Sequence, residues 1–155
     1  MEIGYEYRFG LPRTFVLKYI KKEKVLKDAL PKCKSISEKA AGYYLAELEI
    51  NLGPIQDIVM LEIQLDEEKA PNFLHLKITG HGNMGQINGS AILLLEENQG
   101  GTKLTCKAKG QLTGALGLTG KRLLENGASK GLESFFQNLE KQIKRRIYEL
   151  KKRSK

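Results

Sequence analysis

Two rhythms of hydrophobic spacing divide this chain. Up to about residue 112, apart from an insert over 12–31, apolar side chains return at every second position, the period of strands with one buried face. From about Leu116 to Leu150 they return at every third or fourth position, which predicts one long amphipathic helix. Its stripe is Leu124, Ala128, Leu132, Phe135 or Phe136, Leu139, Ile143, Ile147 and Leu150.

Ile3, Tyr5, Tyr7 and Phe9 alternate with Glu2, Gly4, Glu6 and Arg8, a first strand. Pro12 suits the first turn of a short helix carrying Phe15, Val16, Tyr19 and Ile20, and a second short helical turn covers Val25 to Leu30 before Pro31 closes the insert. Strands are expected over 34–39, 43–52, 55–66, 73–82, 86–97 and 102–112, with glycine, proline and asparagine in the connectors. The inward side carries Tyr44, Ala46, Leu48, Ile50 and Leu52, then Val59, Leu61, Ile63 and Leu65, then Leu74, Leu76 and Ile78. It continues with Ala91, Leu93 and Leu95, then Leu104, Cys106, Ala108 and Leu112, while Glu47, Glu62, Lys77 and Lys107 face water. The expected fold is therefore α+β: a seven-stranded antiparallel sheet with one wet and one dry face, a long C-terminal helix, and two short helices after the first strand.

Seven strands span roughly 34 Å, whereas a helix with its side chains is about 10 to 12 Å across. The sheet must curl around the helix, and curling encloses volume. Several inward positions are small: Ala46, Gly89, Ala91, Ala108 and Gly110 on strands, Gly127, Ala128 and Gly131 on the helix. These small residues predict a dry cavity for an apolar guest; the competing reading is close helix-to-sheet packing with no space left. The residues expected to line it are Leu48, Ile50, Val59, Leu61, Leu76, Ile78, Leu93 and Leu104 on the sheet, and Leu124, Ala128, Gly131, Leu132 and Phe135 on the helix.

The chain has 155 residues and a net charge of +8. Residues 1–140 hold 18 Lys and Arg against 17 Asp and Glu; residues 141–155 hold eight against Glu149. This predicts a nearly neutral ligand-binding domain over 1–140 and a basic amphipathic extension of the last helix over 141–155. From Lys121 to Lys152 that helix would run about 48 Å, against a body diameter of about 37 Å, so its last two turns overhang. Lys141, Lys144, Arg145, Arg146, Lys151, Lys152 and Arg153 are the expected contacts with an anionic membrane surface, each contributing roughly 1 kcal/mol. Cations favouring the negative end of the helix dipole are the plainer reading. Nucleic-acid binding by the tail alone would be weak, salt-sensitive and blind to sequence.

No signal peptide or membrane-spanning stretch is expected, which points to a cytoplasmic protein with Cys33 and Cys106 as reduced thiols. Gly80-His81-Gly82-Asn83-Met84-Gly85 has the spacing of a dinucleotide loop, but strand alternation resumes at Gln86 where a helix would be needed, so a glycine-rich hairpin is expected. His75 falls on the wet face, His81 has no carboxylate or cysteine at metal spacing, and Cys106 lacks a histidine base, so neither a metal, a cofactor nor a catalytic residue is expected. Inward-facing Tyr5, Tyr7 and Tyr44 could donate protons in an enzyme of this fold; their alternation favours packing.

The runs Phe9-Gly10-Leu11-Pro12, Leu30-Pro31, Leu52-Gly53-Pro54-Ile55, Gly80-His81-Gly82 with Gly89-Ser90-Ala91, and Gly101-Thr102-Lys103-Leu104 resemble, in order and spacing, the carbon monoxide dehydrogenase G-subunit family. That family belongs to the START-related, helix-grip SRPBCC superfamily of hydrophobic-ligand-binding proteins. The resemblance implies a curved sheet gripping a C-terminal helix and a non-enzymatic role. That role is to carry a quinone or lipid-like molecule, and to help a molybdenum-containing carbon monoxide dehydrogenase-type enzyme mature or reach the inner membrane face. Members often end in a hydrophobic anchor, whereas this chain ends in a basic helix, which implies reversible peripheral contact. A polyketide cyclase-like enzyme on the same fold, or a nucleic-acid binder, is the alternative.

Overall fold

The computed structural model describes residues 1–153; Ser154 and Lys155, the end of the basic segment, lie outside the described residues. Strand β1 (Glu2–Phe9) is followed by helices α1 (Arg13–Tyr19) and α2 (Glu23–Ala29). Strands β2 (Cys33–Ala40), β3 (Tyr43–Leu52), β4 (Ile55–Asp66), β5 (Phe73–Gly82), β6 (Gly85–Asn98) and β7 (Gly101–Leu112) come next, then α3 (Gly114–Gly117) and α4 (Lys121–Arg153). All seven strands form one antiparallel sheet in the order β1-β7-β6-β5-β4-β3-β2. Every neighbour from β2 to β7 is thus a sequence neighbour, and β1 closes on β7 with Tyr5 opposite Cys106 and Tyr7 opposite Leu104.

The dry face is the predicted one. Tyr44, Ala46, Val59, Leu74, Leu93, Leu95, Leu104 and Cys106 are buried, and α4 answers with Phe136, Leu139 and Ile143. The polar side of the same strands stays in water because a two-residue period gives each strand one face of each kind. Thr102 continues the inward register of β7 and is buried too; its hydroxyl donates to the Leu11 carbonyl at 2.7 Å, which replaces its lost water.

The long helix differs from the expectation at both ends. It does not run unbroken from Leu116: α3 ends at Gly117, Leu118 to Gly120 separate the two helices, and α4 starts at Lys121. The cause is partly local, since glycines at 117 and 120 weaken a helix, and partly tertiary. The Leu116 N–H bonds the Met84 carbonyl at 2.9 Å and the Thr113 N–H bonds the Gln86 carbonyl at 3.0 Å, tying the segment to the β5–β6 hairpin. At the other end Leu150 leaves the buried stripe and is 51% exposed, because α4 has by then passed the body of the protein.

The glycine-rich segment 80–85 is a hairpin, as expected, and β6 begins at once at Gly85. Its tip is held by a residue that no sequence pattern marks. Asp57 on β4 is buried, and its carboxylate accepts the Met84 N–H and the Ile58 N–H, each at 2.8 Å. The Met84 bond above all holds the Asp57 pKa below the ordinary carboxylate value, despite desolvation.

Candidate ligand-binding cavity

Between sheet and helix the filling is uneven. Toward the C-terminal half of α4 it is complete: Phe136 packs against Tyr5, Tyr7, Phe9 and Phe135, with ring centroids 5.1 to 6.2 Å apart. Val16, Tyr19, Leu139 and Ile143 continue that core. This end is also clamped by a polar contact. The Tyr7 hydroxyl donates to Glu140 Oε1 at 2.6 Å, the Gly10 N–H donates to Oε2 at 2.7 Å, and Lys144 Nζ lies 3.1 Å from Oε2. Burial pushes the Glu140 carboxyl up, but these three donors outweigh it and leave the pKa below its ordinary value. The Tyr7 phenol is raised, first by burial and then by the neighbouring carboxylate.

Toward the N-terminal half of α4 the partners are small. Ala91 and Ala108 face each other across β6 and β7, flanked by Leu76 on β5 and Ile3 on β1 in the same cross-strand row. Above that row α4 presents Ala128, Gly131 and Leu132, and a Cβ built on Gly131 meets no heavy atom within 4 Å beyond its own stretch of helix. What remains is a cavity of about 450 Å³. Phe135 and Phe136 wall one side; Ile20, Leu26, Leu30 and Pro31 close another; Tyr44, Leu48, Leu61, Ile63 and Leu65 come from β3 and β4.

The lining is nearly free of polar atoms. Its side-chain heteroatoms are the Tyr44 hydroxyl and the Cys106 thiol, and no charged side chain lines it among the described residues. The Tyr44 hydroxyl donates to the Lys21 carbonyl, and burial, followed by the charge of Glu38, raises its pKa. Burial likewise raises that of Cys106. Neither group is poised for proton transfer near neutral pH. A wider hollow of about 1210 Å³ lies among Gln64, Lys77, Ser90 and Lys109 on the outer, wet side of the sheet. It is an open trough of the twisted sheet and encloses nothing, so the smaller interior space is the better candidate site.

Of the residues predicted to line a cavity, the structure brings Leu48, Leu61, Leu76, Ile78 and Leu93 together with Ala128, Gly131, Leu132 and Phe135. Ile50, Val59, Leu104 and Leu124 lie outside it. Val59 packs under Gly80, 3.2 Å from where a Cβ would stand there, and Leu104 is fully buried beside the aromatic cluster. Leu124 turns toward Leu112 and Gly117 instead, and Ile50 lies on β3 beyond the last lining residue, Leu48. The α1–α2 contributions were missed because nothing local marks them: the insert docks through long-range bonds such as Asn138 Nδ2 to the Ala29 carbonyl at 3.3 Å.

The predicted membrane contacts Lys141, Lys144, Arg145, Lys151, Lys152 and Arg153 are exposed on α4, together with Tyr148 at 66%. Arg146 differs: it is half-buried, with its Nε shielded from water and unpaired. No helix among the described residues is long and apolar enough to cross a membrane.

None of the curated proteins matches the chain in sequence. Solved structures match its fold. A conserved protein from Geobacillus kaustophilus superposes with a TM-score of 0.87 at 21% identity, over 94% of this chain and 96% of that one. A START superfamily protein from Mycobacterium smegmatis gives 0.72 at 9% identity, over 93% and 97%. The Zhui aromatase/cyclase from Streptomyces sp. R1128 gives 0.70 at 10% identity, over 95% of each chain. The architecture is therefore the START-like helix grip, and its two short helices, curved sheet and gripped α4 occupy the expected places. The model of the carbon monoxide dehydrogenase G-subunit (CoxG) family matches residues 6–144, and the chain belongs to that family.

Proposed function

We propose that this protein binds and carries a hydrophobic small molecule, quinone or lipid-like, in the space between α4 and the sheet, without transforming it. The observation that carries the reading is a partly open interior space of about 450 Å³ with an almost wholly hydrocarbon lining. Its size lies within the range of small-molecule sites, roughly 300 to 1,000 Å³. At roughly 30 Å³ for each water-sized group it holds on the order of fifteen non-hydrogen atoms. Family membership supports a role beside a molybdenum-containing carbon monoxide dehydrogenase-type enzyme, in its maturation or membrane recruitment.

Exposed cations at the end of α4 support reversible contact with an anionic membrane surface by a cytoplasmic protein. Lys141, Arg145, Tyr148 and Lys152 recur at three- and four-residue steps and so share one side of the helix. A second reading, an enzyme like the aromatase/cyclase of the same fold, has a specific observation in its favour: Tyr44 and Cys106 reach the cavity. Acid–base chemistry there would need them free and near-neutral in pKa, whereas burial raises both and Tyr44 is already bonded to Lys21. A nucleic-acid reading of the tail has only its charge behind it.

Native mass spectrometry of protein purified from its host tests the carrier reading: retained lipid is expected, and the variant Gly131→Phe, which fills the space, should lose it while keeping its circular dichroism. Unchanged retention in Gly131→Phe sinks the assignment to this cavity. Binding to vesicles of acidic but not neutral lipid is the expected result for the tail, and equal partitioning refutes it.

A further inference from the structure

We infer that the cavity takes its ligand tail first and leaves the polar end in water, so that it selects chain length and not headgroup; the inference rests on the carrier reading above. Satisfaction of polar groups is the first ground. Among the described residues a carboxylate drawn into the space meets no cation, and an unpaired buried ion costs several kcal/mol. A neutral carbonyl or hydroxyl fares better but still costs about 1 to 3 kcal/mol if unpaired. The Tyr44 proton is engaged by the Lys21 carbonyl, which leaves the Cys106 thiol, a weak donor, as the other polar hydrogen within reach.

Volume is the second ground. Room for on the order of fifteen carbons suits an acyl or isoprenoid chain, and a headgroup enclosed with it would displace about as many methylenes as it has heavy atoms. Each methylene left outside forgoes about 0.8 kcal/mol. Both terms therefore favour filling the space with hydrocarbon alone. The room itself is made by Ala91 and Ala108 on the sheet facing Ala128 and Gly131 on α4, so these four set the length limit.

Calorimetric titration of the full chain with straight-chain alcohols and the matching carboxylates, from about eight to about twenty carbons and below their micelle concentrations, tests this. Affinity should rise roughly fourfold per methylene and level off near fifteen carbons, with alcohol and carboxylate of equal length within about tenfold of each other. Ala128→Leu adds three carbons to the lining, and should move the levelling point about three carbons shorter in both series. Carboxylates binding more than about a hundredfold below alcohols at every length would mean that the head enters, and would overturn the inference, as would affinity that ignores chain length. If neither series binds, the carrier reading falls and this inference with it.

Discussion

Gly131→Leu should make the protein more stable and a poorer binder, the reverse of what most interior substitutions do to stability. Gly131 sits in the body of α4 with no heavy atom beyond its own stretch of helix within 4 Å of a built Cβ, on the wall of a cavity of about 450 Å³. Removing a glycine from a helix interior gains about 1 kcal/mol. Placing a leucine side chain in apolar space gains about 1.5 to 3 kcal/mol, against roughly 0.5 to 1 kcal/mol of lost rotamer freedom. The net is about 2 to 3 kcal/mol, which for a domain of this size raises Tm by roughly 5 to 10 °C. Gly131→Ala isolates the helix term, so the difference between the two variants reports the void. Urea unfolding followed by circular dichroism measures both. A Leu variant no more stable than the Ala variant would mean that the side chain finds no empty space, and the reasoning from small residues to a cavity would fail.

Three further substitutions probe the elements that hold the site. Glu140→Gln should cost about 1 to 3 kcal/mol at pH 7. Because the folded carboxyl has a lowered pKa, its stabilisation is present above the usual carboxylate range and is lost as pH falls through it. The deficit against the unmodified protein should therefore shrink below about pH 4, and a pH-independent deficit in urea melts would refute the ionic account. Gly85→Ala should destabilise by about 2 to 4 kcal/mol, since φ is +141° there and a Cβ would overlap the Thr113 carbonyl oxygen; a thermal melt shifted by less than about a degree would contradict it. Asp57→Asn should speed amide exchange at Met84, whose N–H the carboxylate holds, while leaving exchange in β7 unchanged.

The strands were legible because each carries one wet and one dry side, and a two-residue period is hard to mistake when Glu62 and Gln64 alternate with Leu61, Ile63 and Leu65. The start of the helix was not, because the bonds that fix α3, from Thr113 and Leu116, go to a hairpin some way back in the chain. Small residues pointed to open space, but they do not all mean the same thing. Ala91, Ala108, Ala128 and Gly131 line the cavity. Gly127 is met by Leu52, whose Cδ2 occupies the place a Cβ would need, and Gly89 and Gly110 are used up on close approach of β6 to β7. Ala46 belongs to a separate packed cluster with Ile36 and Tyr44. Periodicity says which side a residue faces; it does not say what stands opposite, and that alone separates a void from a tight contact.

The same distinction explains why the cavity does not simply collapse. A helix is stiff over a few turns, so its distance from the sheet is set wherever the bulkiest contacts are. On α4 one such contact is Phe136 among Tyr5, Tyr7 and Phe9, reinforced by Glu140. Another is Leu52 seated on Gly127 at the tip of the β3–β4 hairpin. These two props are about nine residues apart, about 13 Å along the axis, and Ala128 and Gly131 lie between them over Ala91 and Ala108. For the helix to settle onto the alanines it would have to bend within that span or crush the aromatic cluster, and the contacts at the two props oppose both. Rigidity elsewhere, not the lining itself, keeps the space open, so substitutions in the lining can resize it without unfolding the protein.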